Sequence, residues 1–337
     1  MVRLSCTALL FLTTILVVPA QAATTFKIAT IAPDGTSWMK AMRDGAKKIQ
    51  ERTDGRVKFR FYPGGIMGND KSVLRKMRVG QLHGGAVTGG GLAQIIPEAL
   101  VYSLPFQFRS YAEIDYVRKR MDPVLLDRLQ EAGYVGFGIS EGGFAYLMSD
   151  DPITDNDVLK GQKVWIPEGD IISRSAFEAL GVSPISLPLT DVLTGLQTGL
   201  INTVEATPTG AIALQWHTRV KYLTDNPLMY IYGTLVLKQR TFEKLSDADR
   251  KVVSTVMEEI FERLNRQNRE DNDSARAALQ EQGITFVKSD AETLKLWRQT
   301  SGKAMDQLVR DNKLFDAEIH QQLQQHLRTF RSQTQAN

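Results

Sequence analysis

The chain has 337 residues, with 41 Lys and Arg against 38 Asp and Glu, four His and one Cys. A net charge of +3 leaves no electrostatic footprint for nucleic acid, and one cysteine excludes a disulfide framework. The length is enough for a core that holds without staples, and it predicts two lobes rather than one.

Residues 1–22 read as a targeting segment. Arg3 precedes an apolar run, Ala8 to Val18, interrupted only by Thr13 and Thr14; Pro19 and Ala20-Gln21-Ala22 follow. This is a charged n-region, an h-region and a small-x-small cleavage site. At about 11 residues the run is too short for a spanning helix, which needs ~20. The mature chain is expected to start near Ala23. It then lacks Cys6, and with it any thiolate nucleophile or cysteine metal site.

The mature chain opens as an α/β alternation. Phe26 to Ile31 reads as a buried strand. Thr36 or Ser37 caps a helix with the apolar face Trp38, Met42, Ala46 and Ile49. Val57, Phe59 and Phe61 alternate with Lys58, Arg60 and Tyr62 as a half-buried strand, so the unit is βαβ and predicts a parallel sheet. The turn Pro63-Gly64-Gly65 leads to a helix started by Asn69 or Asp70. Leu82 to Thr88 is a short strand closed by Gly89-Gly90-Gly91, and Ser110 to Ala132 is helical.

The pattern then restarts. Strands are expected at Tyr134 to Ile139, Phe144 to Met148, Val164 to Ile166, Ile201 to Val204 and Tyr230 to Leu237. Helices are expected at Ile172 to Leu180 and Thr190 to Thr198. From Ser246 to about Gln282 the sequence is helical with few breakers, long enough to brace two lobes. Ile284 to Val287 is a last strand. Ala291 to Asn312 and Asp316 to Phe330 are amphipathic helices, and the Gln-rich tail is expected to fray. The expected architecture is two α/β lobes, hinged near Tyr146 to Met148 and Tyr230 to Leu235, with a ligand cleft between them. The boundaries are 23–146 plus about 232–260 for lobe I and 147–231 plus about 276–330 for lobe II. The helix 246–282 crosses both.

Three chemical motifs compete with a binding role. Gly138-Ile139-Ser140-Glu141-Gly142 fits the G-x-S-x-G elbow of serine hydrolases, with His83-Gly84-Gly85 upstream and His217 as a base. The elbow requires strand, tight turn, then helix; here Gly142-Gly143 and an apolar strand follow Ser140. His83, His217, His320 and His326 have no zinc-like spacing. The triple glycine at 89–91 can present backbone N–H groups to an anion, or mark a close approach of backbone to the cleft.

From Ser183 to Glu205 the sequence, SPISLPLTDVLTGLQTGLINTVE, resembles the signature of the substrate-binding proteins of TRAP transporters, the dicarboxylate-receptor type. Leu159-Lys160-Gly161-Gln162-Lys163, Phe61-Tyr62-Pro63 with Met67-Gly68-Asn69-Asp70, Leu104-Pro105-Phe106, and Val220 to Thr224 agree in order. The resemblance implies a two-lobed periplasmic-binding-protein-like fold and no catalysis or cofactor. It also implies a periplasmic receptor that hands a small molecule to the membrane components of an ion-driven transporter. The family's arginine in the pattern K-x-R-x-P falls on Trp165, in Lys163 to Pro167. A second common arginine falls near Ala145, and the usual Glu-Asn-Pro reads Glu205-Ala206-Thr207. This pattern resembles a divergent subgroup with less polar clefts, often paired with a periplasmic helical-repeat protein.

The candidate ligand-binding residues are Trp38, Asn69, Thr88 and Gly89 in the first half. Phe144, Tyr146, Trp165, Glu168 and Arg174 surround the restart, and Leu189, Glu205, Thr207 and Trp216 accompany the signature. The cleft is expected to prefer a ligand with an apolar part. The competing expectation is an organic acid held by a displaced arginine, Arg174 or Arg219.

Overall fold

The computed structural model describes residues 23–311 and 314–335. The expected targeting segment, with Arg3 and Cys6, lies outside the described residues. Among those described, no helix is long and apolar enough to cross a membrane.

The chain begins with β1 (Thr24–Thr30), α1 (Ser37–Arg52), β2 (Val57–Tyr62), α2 (Asp70–Arg78) and β3 (Gly84–Thr88). β1 lies between β2 and β3, parallel to both. Thr36 caps α1 by accepting from the Met39 N–H, and Asn69 caps α2 by accepting from the Ser72 N–H; each satisfies an amide that the helix leaves free. α1 is rotated slightly from the expected face. Met42 and Ile49 are central, but Met39 and Gly45 replace Trp38 and Ala46 as fully buried positions. The reason is a second helix that packs Ile260 and Met257 against Gly45.

After α3 (Gly89–Leu92) and a 3-10 turn at Pro97–Ser103 come α4 (Tyr111–Glu131), β4 (Tyr134–Gly136) and β5 (Ser140–Ser149). Next come α5 (Asn156–Lys160), β6 (Trp165–Pro167), α6 (Ile171–Ala179), β7 (Ile185–Leu187), α7 (Val192–Thr198), β8 (Thr203–Ala206) and α8 (Pro208–Ala213). Then follow β9 (Tyr222–Lys238), α9 (Gln239–Phe242), α10 (Asp247–Glu281), β10 (Thr285–Val287), α11 (Ala291–Arg310) and α12 (Ala317–Gln335).

Two long antiparallel strands join the lobes. The far end of β9 pairs with β3, from Gly84↔Leu237 to Thr88↔Gly233, and with β4. Its near end, Tyr222 to Thr224, pairs with β10 and with Leu147 to Ser149 of β5. β5 pairs with β8 on its other side. Between Ala145↔Met229 and Leu147↔Thr224 the β5–β9 register breaks, so Asp225, Asn226, Pro227 and Leu228 stand opposite Tyr146. Proline has no N–H to give to a ladder. A strand was expected only from Tyr230; the structure keeps the strand and absorbs Asp-Asn-Pro as a bulge inside it.

α10 crosses this junction. Its first half buries Val253, Val256, Met257, Ile260, Phe261 and Leu264 with α1 and β1, and Leu279 near its end joins the core around β8 and α7. Between these, Asn265, Asn268 and Asn272 sit on one helical face. Asn265 Oδ1 accepts from the Glu141 N–H at 2.8 Å, and its Nδ2 donates to the Ile139 carbonyl at 3.2 Å. Asn268 donates to the Glu141 carbonyl. Asn272 donates to the Gly142 carbonyl at 2.9 Å and accepts from Thr209, the N–H at 3.3 Å and the hydroxyl at 3.0 Å. The amides thus serve backbone groups where β5 loses register with β9 between Glu141 and Gly143. One turn further on, Arg276 pairs with Asp225 of the bulge at 2.8 Å and lies 5.0 Å over the Tyr146 ring.

α12 leaves α11 and packs Ile319, Leu323 and Leu327 into the core with Ile114, Val117 and Met121 of α4. α12 thus packs its apolar face against α4. The tail continues helical to Gln335 instead of fraying after Phe330, as glutamine is a good helix former.

Asn272→Ala should lower stability by about 2–4 kcal/mol, since it strands the Gly142 carbonyl and the Thr209 N–H, at about 1–3 kcal/mol for each buried group left unpaired. Urea denaturation checks this; a loss under 0.5 kcal/mol would mean that water replaces the amide without penalty.

Candidate functional site

The lobes meet where strands end. On the first lobe the wall is the turn Pro63–Gly68, the start of α2 and the end of β3. On the second it is the Pro167–Asp170 loop, the segment after β7 and the end of β8. Asn69 Nδ2 donates across the gap to Glu168 Oε2 at 3.4 Å. A Cβ on Gly65 would lie 3.8 Å from Thr190 Cγ2. The two walls thus approach each other closely at both points.

On the first wall, Thr88 caps α3, and its N–H and hydroxyl both donate to Asp70 Oδ2, at 3.1 and 2.7 Å. The other Asp70 oxygen is buried without a partner, and burial pushes this carboxyl above the ordinary range in spite of Thr88. Gly89 has its hydrogen against a ring: a Cβ there would fall 2.6 Å from Tyr232. The glycine allows backbone to approach Tyr232, and the short α3 it begins is no anion cradle. Trp38 is half-buried against the core of the first lobe.

The second wall is more apolar than its sequence suggests. Trp165 is 2% exposed and meets Trp216 edge-on at 5.1 Å. Its indole N–H donates to the Leu187 carbonyl at 3.0 Å, so this donor is already engaged. Leu189 packs on the same cluster. Phe144 lies in the core beside Tyr111 and Tyr230, while Tyr146 is half-buried beneath Arg276. Arg174 pairs along its own helix with Glu178 at 3.5 Å, and Arg219 is exposed at the end of the 3-10 turn Trp216–Arg219. Thr207 caps α8 through the Gly210 N–H.

Glu205 is the unusual group. It is 7% exposed on β8, opposite Leu147 of β5. Its Oε2 is buried with no partner. Its Oε1 lies 3.4 Å from the Ser173 hydroxyl, but that hydroxyl also lies 2.7 Å from Asp170 Oδ2, and the shorter contact holds the single proton. Burial first, then the nearby Asp170 charge, push Glu205 up to about 8; the loose Ser173 contact opposes them weakly. Asp170, Ser173 and Asp70 were not foreseen as site residues, although Asp170 before an apolar helix start is a legible cap.

The serine-hydrolase elbow is not formed at Ser140. Ser140 begins β5, paired with Gly233, and is followed by strand rather than helix. His83 Nδ1 accepts from the Lys27 N–H, and His217 contacts the Ala211 carbonyl. Among the described residues no group of three or more His, Cys, Asp or Glu could hold a metal. Cavities of about 370 and 540 Å³ lie elsewhere, beside Gln107 and His320 and beside Gln130 and Arg250.

The profile of the bacterial extracellular solute-binding proteins, family 7 (DctP), matches residues 28–312. The chain belongs to this family. The C4-dicarboxylate-binding periplasmic protein DctP of Rhodobacter capsulatus is 24% identical over 275 residues, 79% of this chain and 81% of that protein. The protein YiiZ of Salmonella typhimurium is 26% identical over 222 residues, 64% of this chain and 67% of its own length. Among solved structures, the sugar acid binding protein DctPAm of Advenella mimigardefordensis, in complex with galactonate, has a TM-score of 0.84 at 21% identity and covers 91% of this chain and 99% of that one. A TRAP periplasmic solute-binding protein of Xanthobacter autotrophicus, with bound β-D-galacturonate, has a TM-score of 0.82 at 20% identity, covering 90% and 99%. The two-lobed α/β architecture of the family is therefore the architecture of this chain.

Glu205 also sets a pH dependence of stability. Its folded value of about 8 exceeds the ordinary 4.5, so between these values the unfolded chain has released a proton that the folded one retains. Stability is expected to fall by up to about 1.4 kcal/mol per pH unit from about 4.5 to about 8 on account of this group. Thermal denaturation across that range should show the slope in the wild type and its loss in Glu205→Gln.

Proposed function

We propose that this DctP-type protein is the periplasmic receptor of a TRAP-type, ATP-independent transporter and captures a small organic ligand with an apolar body between its lobes. Family membership supports the receptor role, and relatives that bind dicarboxylates or sugar acids support a small organic ligand. The observation that carries the apolar preference is Trp165, at the family's arginine position, buried edge-on against Trp216 with its N–H already bonded. A buried carboxylate pair needs a partner such as a bidentate arginine; an uncompensated buried charge costs several kcal/mol. Ala145 supplies no charge, and Ala206 no amide, at the other two positions.

The competing reading, an acid held by a displaced arginine, is weaker because Arg174 pairs with Glu178 and Arg219 is exposed. In this proposal the signal peptide 1–22 is removed on export. The lobes are 23–146 with about 232–260, and 147–231 with about 276–310, and α12 belongs with the first. They close about the β5–β9 register break. The cleft residues are drawn from Asn69, Thr88, Tyr146, Glu168, Leu189, Glu205 and Thr207. Handover is to the membrane components of the transporter, and a periplasmic helical-repeat protein is a further partner.

Calorimetry tests the preference. Succinate and malate should bind at least tenfold more weakly than phenylacetate, and Arg174→Ala should leave affinities unchanged. Micromolar succinate binding that disappears in Arg174→Ala would establish the displaced-arginine reading instead.

A further inference from the structure

The two lost arginine positions leave a defined chemical group behind. Glu205 and Leu147 are cross-strand partners, and Ala145 lies on the same face of β5 two residues along, one diagonal step from Glu205. An arginine at 145 would reach this carboxyl; alanine, fully buried there, leaves it without a cation. Among the described residues, the one charge acting on Glu205 is Asp170, of the same sign. The opposite strand offers Leu147, and α6 offers Ser173, whose proton belongs to Asp170. Without a cation, and with an acid nearby, this buried carboxyl favours the neutral form. A neutral carboxyl is a hydrogen-bond donor. Its donor needs an acceptor, and the buried Oε2 has none.

Through Ser173 and Asp170 that donor lies beside the loop that touches Asn69. Asp170 caps α6 two residues after Glu168, which touches Asn69 of the other lobe. Glu205 itself is two residues before the cap of α8, at the end of β8.

We propose that Glu205, as a neutral acid, donates its O–H to the ligand in place of the family's guanidinium, so that the receptor takes molecules with one acceptor head, a carboxylate or carbonyl, on an apolar body. This rests on the receptor reading above. The ligand is held by a shared proton rather than by an ion pair. A second carboxylate on the ligand would meet Asp170 and be repelled. Binding is consequently linked to a proton. The donor is present while Glu205 is protonated and is lost as the pH rises past the value at which it ionises.

Infrared difference spectroscopy of the intact mature protein separates this proposal from the receptor reading, because its first arm needs no ligand. A protonated-carboxyl band should be present at pH 7, vanish at alkaline pH, and be missing in Glu205→Gln. A carboxyl already ionised at pH 6.5 overturns the proposal and leaves the receptor reading untouched. The second arm adds phenylacetate, with succinate as control. Phenylacetate should shift the band, and its affinity should fall about tenfold for each pH unit above about 8. Glu205→Gln, which keeps an N–H donor, should bind with a flat profile, and Glu205→Leu should lose binding at least thirtyfold while keeping its fold by circular dichroism. Phenylacetate binding without a band shift, preference for succinate, or failure of phenylacetate to bind at 10 mM each overturns the assigned ligand class.

Discussion

Everything in this fold depends on how two lobes share two strands without losing backbone hydrogen bonds at the seam. β5 and β9 belong to both lobes, and each change of partner leaves N–H and C=O groups that the ladder no longer serves. Buried unpaired backbone groups are rare in native proteins because each is costly. The answer here is a row of side-chain amides on α10. An asparagine carries both a donor and an acceptor, so Asn265 can serve Ile139 and Glu141 at once, and Asn272 can join Gly142 to Thr209. The same helix then closes the bulge on β9 through Arg276 and Asp225. The brace is therefore a polar contact at its centre and an apolar one at its ends.

Two buried glutamates show what a partner decides. Glu141, 1% exposed, receives Arg269 at 2.7 Å and the Tyr230 hydroxyl at 2.8 Å. Tyr230 is in turn bonded to Arg118, which pairs with Asp122. This chain of alternating charge links α4, β5, β9 and α10 inside the first lobe, and removing one member would leave the next uncompensated. Glu205, equally enclosed, has an acid for a neighbour and no cation. The fold thus gives one carboxyl a full set of cationic and hydroxyl partners and leaves one oxygen of the other without any.

Much of this architecture is legible in the sequence. The ends of α10 follow from Ser246 as a cap and from a run of good helix formers without Gly or Pro up to the Gly283 stop, and α4 starts at Ser110 in the same way. The family signature brings the lobes with it. What sequence does not carry is tertiary pairing. Asp225-Asn226-Pro227 reads as a loop, since only the partner strand reveals that β9 continues through it. Asn265, Asn268 and Asn272 read as a solvated helix face, because local spacing cannot tell water from a strand edge. The partner of the Trp165 N–H is a carbonyl at Leu187, which has no side-chain signature at all. At the site, the stranded Glu205 oxygen appears only once Ser173 is seen to serve Asp170. α8 is a different case: Thr207 followed by Pro208 is a good cap and first turn, overshadowed by the motif that precedes it.

The length of α10 has a mechanical meaning. With a rise of about 1.5 Å per residue, its first residues lie roughly 30 Å from the asparagine row. If that row is a fulcrum, a tilt of only about 5° there carries the far end, and the flank of α1 that rides on it, through about 2.5 Å. In that geometry a small rotation at the seam would become a displacement of ångströms on the outer surface, far from its cause.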